Sequence, residues 1–195
     1  MKLITFTCVL RTCLAILLGF VVSTSSHAYS YAAAGKEPVI DGREAIMQAL
    51  ADNDFVAAKV AVDGLHEEFT YLLNEHQVDL LTPMNQALAD KDAAKVEAVM
   101  DHAVIEEIVR RLDGAEKNLG DYQVAKVLVV KSKLFLDLIM PKLDESSRKQ
   151  ATEAIQGVLN AIGNPGVFGV GQAPADPAVF KQQRELLTDA INSLK

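Results

Sequence analysis

The side chains of this sequence best suited to chemistry are its histidines and the carboxylates spaced around them. Beyond residue 28 these are His66, His76 and His102. Asp63 precedes His66 by three residues and Glu106 follows His102 by four, the spacings that bring side chains together on one helix face. Helical proteins hold divalent cations with such carboxylate–histidine pairs when the pairs point into the bundle. On a 100° wheel both pairs fall on polar faces, with His102 and Glu106 opposite Met100, Val104, Ile108 and Leu112, which predicts solvated surfaces. His76 falls on the apolar side of its helix, and its other reading is a histidine that meets the last carbonyls of that helix. Glu67 and Glu68 are adjacent, so they diverge by about 100° and serve different faces. Two alternative cation sets result: Glu68 with His76 on the inner side, or Asp63, Glu67 and His66 at the surface. Either would take iron or another divalent cation; no cofactor is certain from the residues.

Other chemistries lack their signatures. The sequence has no Gly-x-Ser-x-Gly and no His-Glu-x-x-His, so no nucleophile–base pair or zinc-protease helix is indicated. Gly166, Gly169 and Gly171 have the look of a phosphate-binding loop, but the preceding strand, the helix start and the lysine of such loops are missing. Val167, Phe168 and Val170 are expected instead to press onto apolar surface, making this loop a candidate for partner contact. The residues favour a protein that is not an enzyme.

The N-terminus carries an address. Lys2 and Arg11 precede an apolar run from Cys13 to Val22, followed by Ser26-His27-Ala28 with small residues at the −3 and −1 positions of a cut. That pattern predicts a secretory signal over 1–28. Its apolar run is shorter than the roughly 20 residues that span a bilayer. Both cysteines, Cys8 and Cys13, lie inside it, so the exported chain would have no disulfide and no thiolate. Cleavage removes Lys2 and Arg11, leaving 17 basic residues against 26 acidic ones and a formal charge of −9. Such acidity repels nucleic acid and anionic membranes. A soluble protein of the periplasm is expected, with secretion as the alternative.

These residues must be positioned by helices. A flexible leader is expected over 29–40 and a single helical domain over 41–195. Asp41 is read as the cap of a short helix to about Asp52, and Asn53-Asp54 as the start of a long one to about His76. On that long helix Ala58, Ala61, Val62, Leu65, Phe69, Leu72 and Leu73 share a side. Thr82-Pro83 opens a short helix. Asp92 caps a long helix that stops at Gly120. Asp121 begins Tyr122–Met140, apolar around most of its circumference and therefore expected to be the central helix, with Leu134 buried and Pro141 ending it. Further helices are expected over about 145–162 and from Asp176-Pro177 almost to Lys195. The fold class is all-α, a compact antiparallel bundle of four long helices plus short N-terminal helices. Gln48-Ala-Leu-Ala-Asp-Asn-Asp54 recurs as Gln86-Ala-Leu-Ala-Asp-Lys-Asp92, suggesting two packed helical hairpins. Glu107 and Lys131 fall on apolar stripes, so Glu107 is expected to pair with Arg111 or Lys131.

From about Glu44 to Met140 the chain resembles the extracytoplasmic helical domain of the high-affinity iron permease family. The likeness rests on Asn53-Asp54, Ala57-Ala58 and the acidic-aromatic run Glu67-Glu68-Phe69-Thr70-Tyr71. The permeases' membrane motif, Arg-Glu-x-x-Glu, is absent: Arg43-Glu44-Ala45-Ile46-Met47 lacks the second acid. The resemblance implies a stand-alone module handling iron through Glu67, Glu68 and Tyr71, and implies nothing about transport. Two functions are thus carried forward: a non-enzymatic binding or accessory module for a periplasmic partner protein, and a metal-binding protein using carboxylates and histidines.

Overall fold

A computed structural model describes residues 37–166 and 171–195. The expected signal, most of the expected leader, and Val167, Phe168 and Val170 lie outside the described residues. Within them the chain forms eight α-helices: α1 (Pro38–Ala51), α2 (Phe55–Asp63), α3 (His66–His76), α4 (Leu81–Ala89), α5 (Ala93–Lys117), α6 (Tyr122–Ile139), α7 (Glu145–Ala161) and α8 (Pro177–Ile191). Single 3-10 turns follow α6 and α8. Among the described residues there is no strand, only an isolated bridge between Asn164 and Ala173. The all-α class is therefore what the chain adopts, and α5 to α8 are its longest helices.

Aspartate caps set most of the helix starts. Asp54, Asp92, Asp121, Asp144 and Asp176 each accept hydrogen bonds from first-turn amides that have no partner inside the helix. Before α4 the cap expected of Thr82 is made three residues earlier, where Asp79 Oδ1 accepts from Thr82 N at 3.0 Å.

Three expectations need correction. First, α1 begins at Pro38 rather than Asp41. Proline at the first helical position needs no amide partner, and Glu37 in front of it makes no cap bond; its carboxylate is used elsewhere. Secondly, the long helix expected over 54–76 is two helices, broken at Gly64-Leu65. The wheel survives the break, since Ala58, Val62, Leu65, Phe69 and Leu72 are all buried. Leu65 fills the space above Gly42 of α1, where a Cβ would stand only 2.7 Å from three of its side-chain carbons. Leu73, assigned to the same side, is 38 % exposed. Thirdly, α6 is not the central helix. Its Leu134 is 48 % exposed and Val130 is exposed too.

The centre is α5. It packs against α1, α3, α4, α6, α8 and the C-terminal turn, and it buries Val96, Met100, Ala103, Val104, Ile105, Ile108, Leu112 and Ala115. It also buries Asp101, Glu106, Glu107 and Arg111, which is why its sequence does not read as the most apolar helix. A polar residue count marks a helix as peripheral only when its charges lack partners inside.

The repeated heptapeptides form the same corner twice. In each, a glutamine amide donates to the aspartate four residues on, Gln48 to Asp52 at 3.1 Å and Gln86 to Asp90 at 3.0 Å. The next residue turns left-handed, Asn53 at φ 55° and Lys91 at φ 53°. The following aspartate closes the corner by donating its amide to the alanine five residues back, Asp54 to Ala49 and Asp92 to Ala87. The two corners lie side by side, since Lys91 lines a cleft with Asp52, Asn53, Asp54, Phe55 and Val56.

Candidate functional site

The residues singled out for cation binding are spread along α2 and α3. Asp63 ends α2 at the surface, where Lys59 Nζ stands 2.7 Å from its carboxylate. His66 and Glu67 open α3 and are exposed, while Glu68 is half-buried. His76 lies in the last turn of α3, its ring 5.6 Å from that of Tyr71. Tyr71 in turn lies under the guanidinium of Arg110, 5.5 Å from the ring centroid. Among the described residues no three histidine, aspartate or glutamate side chains converge on a point where a metal ion could sit.

The charges that do converge are on α5, in four networks, the most exposed of which joins Arg184 of α8 to Asp113 and, at 2.9 Å, to Glu116. In the first, Glu107 accepts from Arg110 Nε and Nη2, both at 2.7 Å, and from Arg111. Arg111 also donates to Glu37, and Lys131 Nζ stands 2.7 Å from Glu37 Oε1, an ion pair lying off the line of a hydrogen bond. Burial pushes the Glu107 carboxyl up, but the Arg110 hydrogen bonds and the Arg111 charge outweigh it and hold the group below the ordinary glutamate range. The expected pairing of Glu107 with Arg111 is present; Lys131 goes to Glu37 instead.

In the second network Asp101 accepts from Arg43 Nη2 at 3.3 Å and from Lys142, which also reaches Glu97 at 2.6 Å. In the third, Glu106 receives His102 Nε2 at 3.2 Å and Lys195 Nζ at 2.7 Å. The expected solvated face at His102 and Glu106 is thus corrected for Glu106, which is buried under the C-terminal turn. These are structural ties, each joining α5 to another part of the fold.

The unusual surface lies on α2. Val56 and Val60 are 77 % and 67 % exposed, the highest values among the large apolar side chains described. They are four residues apart and so share a stripe, directly opposite the buried Ala58 and Val62. The sequence carries that signal, two valines at helical spacing on the outer side of an amphipathic wheel, among Lys59 and Asp63. On and beside this stripe are Asp52, Asp54 and Asp63, against Lys59 and Lys91.

No protein family, curated protein or solved structure matches this chain. No helix among the described residues is long and apolar enough to cross a membrane.

Proposed function

We propose that this chain is an exported, non-enzymatic helical module that binds a partner protein in the periplasm through the outer face of α2. Export rests on the basic start, the apolar run and Ser26-His27-Ala28. The observation that carries the binding reading is the exposed Val56–Val60 stripe. Solvent-facing valines at two successive turns contribute nothing to the core, and apolar surface rimmed by charge is typical of contact sites. The surrounding acids select a partner that is basic around an apolar centre. The iron-handling alternative, drawn from the permease resemblance, would rest on Glu68 with His76 or on Asp63, Glu67 and His66; no geometric feature favours it over partner binding.

The test is cross-linking and capture from periplasm with the unmodified protein and with a Val56→Asp/Val60→Asp variant. Because both positions are solvated, the variant should melt like its parent. A partner with a basic contact surface, retained by the parent and lost by the variant, is the expected result. Equal capture by both proteins would overturn the assignment of this face.

A further inference from the structure

Both α1 and α6 pack on α5, and an open cleft runs between them, with Ile40, Met47 and Ala51 of α1 along one side and Leu138 of α6 on the other. Leu134 stands one turn before Leu138, about 40° further out on the helical wheel. It is the exposed leucine noted above, and the exposed Val130 continues the same flank. An apolar knob therefore projects beside an apolar cleft on one face of the protein. Such a face is complementary to a second copy of itself, because a two-fold rotation brings each knob to the other copy's cleft.

The two rims of this face differ in sign. On α1, Glu44 shares the cleft stripe and Asp41 lies outside it, both exposed. The one basic residue of α1, Arg43, is tied to the buried Asp101. On α6 the exposed side beyond Val130 carries Lys126 and Lys133, the second shared with Asp137. Across the face the order is thus acid, cleft, Leu134, Val130, base. Paired with itself so that α1 meets α1, this face sets acid against acid and lysine against lysine. Paired so that α1 meets α6, it sets each basic rim on an acidic one and each Leu134 on a cleft. Charge selects the second arrangement, and the lysine stems extend the apolar seam.

We propose that this face is a homodimer interface, in which Leu134 of each copy enters the α1–α6 cleft of the other and Lys126 and Lys133 meet Glu44 and Asp41 at the rims. The apolar character of α6 nearly all round its circumference then has a cause, since the flank left open by α5 and α7 is the one a second copy covers. No residue of α2 lines the cleft, so the dimer leaves both Val56–Val60 stripes free and presents them in duplicate.

Analytical ultracentrifugation of the purified chain over a concentration series should show a monomer–dimer equilibrium. Leu134→Gln, at a solvated position, should weaken it about tenfold or more, with the melting temperature of the dilute protein unchanged. Glu44→Lys and Lys133→Glu should each weaken it, and both together should recover most of the loss, because the exchanged charges meet again across the interface. No cysteine lies beyond residue 28, so single thiols can be placed at will. Glu44→Cys and Leu134→Cys chains, mixed with a short bismaleimide, should cross-link to each other in preference to either with itself. A chain that stays monomeric to about 1 mM, a dimer indifferent to Leu134→Gln, or charge variants whose losses simply add would each overturn the proposal. So would Leu134→Cys linking chiefly to itself, which would set α6 on α6.

Discussion

The guanidinium of Arg111 on α5 lies over the ring of Phe135 on α6, 4.2 Å from its centroid, while its nitrogens are held by Glu107 and Glu37. A planar cation stacked on an aromatic face and bonded at its edges uses both properties that separate arginine from lysine. It ties the start of α1 and the middle of α6 to α5 at one point. The surrounding charges are three cations, Arg110, Arg111 and Lys131, and two carboxylates, so no carboxylate there lacks a counter-ion.

Removing that arginine should therefore cost more than removing the whole pair. Arg111→Met leaves Glu37 with Lys131 and Glu107 with Arg110 alone, removes the cation from the face of Phe135, and should destabilise by about 3 kcal/mol. Adding Glu107→Gln to it should recover part of the loss, giving a positive coupling in a double-mutant cycle measured by urea unfolding. Additive losses would show that the two residues do not act together.

The same network sets an acid response. The folded-state pKa of Glu107 lies below its unfolded value, so its contribution is fully present above the unfolded value. It is lost as pH falls through the folded one. Stability should drop below about pH 4, and Glu107→Gln should have a shallower slope there than the parent. Matching slopes in urea melts from pH 5 to pH 2 would contradict the assignment.

Gly42 is fixed by packing and not by backbone angle. A methyl at this position would meet the buried Leu65 at 2.7 Å, and a leucine enclosed on all sides cannot step away. Gly42→Ala should cost about 1–3 kcal/mol despite the better helix propensity of alanine, whereas Gly120→Ala, with nothing near its Cβ, should not.

The twin corners give a matched experiment. Asp54→Ala and Asp92→Ala should each cost about 1 kcal/mol through loss of a cap. At the left-handed positions asparagine is tolerated and lysine is strained. Lys91→Gly should raise the melting temperature, and Asn53→Gly should do so less. The reverse order would mean that contacts of the Lys91 side chain outweigh its backbone.

For cations the expectation is weak binding. Asp63 is already paired with Lys59 and the nearby His66 and Glu67 are solvated, so ferrous or ferric titration should show at most millimolar, salt-sensitive affinity. Micromolar binding abolished by Glu68→Gln would restore the inward cation set.

The caps and stripes were legible in the sequence because they are local. Asp92, Asp121 and Asp176-Pro177 announce their helices, and the core side of α2 and α3 could be read through a break that the wheel did not register. What failed were inferences that needed the neighbours. Tyr122–Ile139 is apolar nearly all round, yet Val130 and Leu134 face out because α5 and α7 cover only part of its circumference. The central helix is one rich in charge because its ions find partners from Glu37, Arg43, Lys142, Arg184 and Lys195, positions that no window of α5 contains. Glu37 looked like the end of a leader because its role is a tie to Arg111, seventy-four residues away. The candidate surface at Val56 and Val60 was visible in principle, as apolar residues out of phase with their own helix.

The ionic partners of α5 also impose an order in time. A chain made from its N-terminus has α5 complete while the buried Asp101 has only Arg43 and the buried Glu106 only His102, with Lys142 and Lys195 still to come. Until those residues arrive, the helix destined for the middle carries carboxylates that hydration holds in water. Docking it early would leave them short of a cation. The ionic closure of α5 is thus completed only when the last stretch of the chain is available, so folding of this domain should finish after its C-terminus is made and not during synthesis.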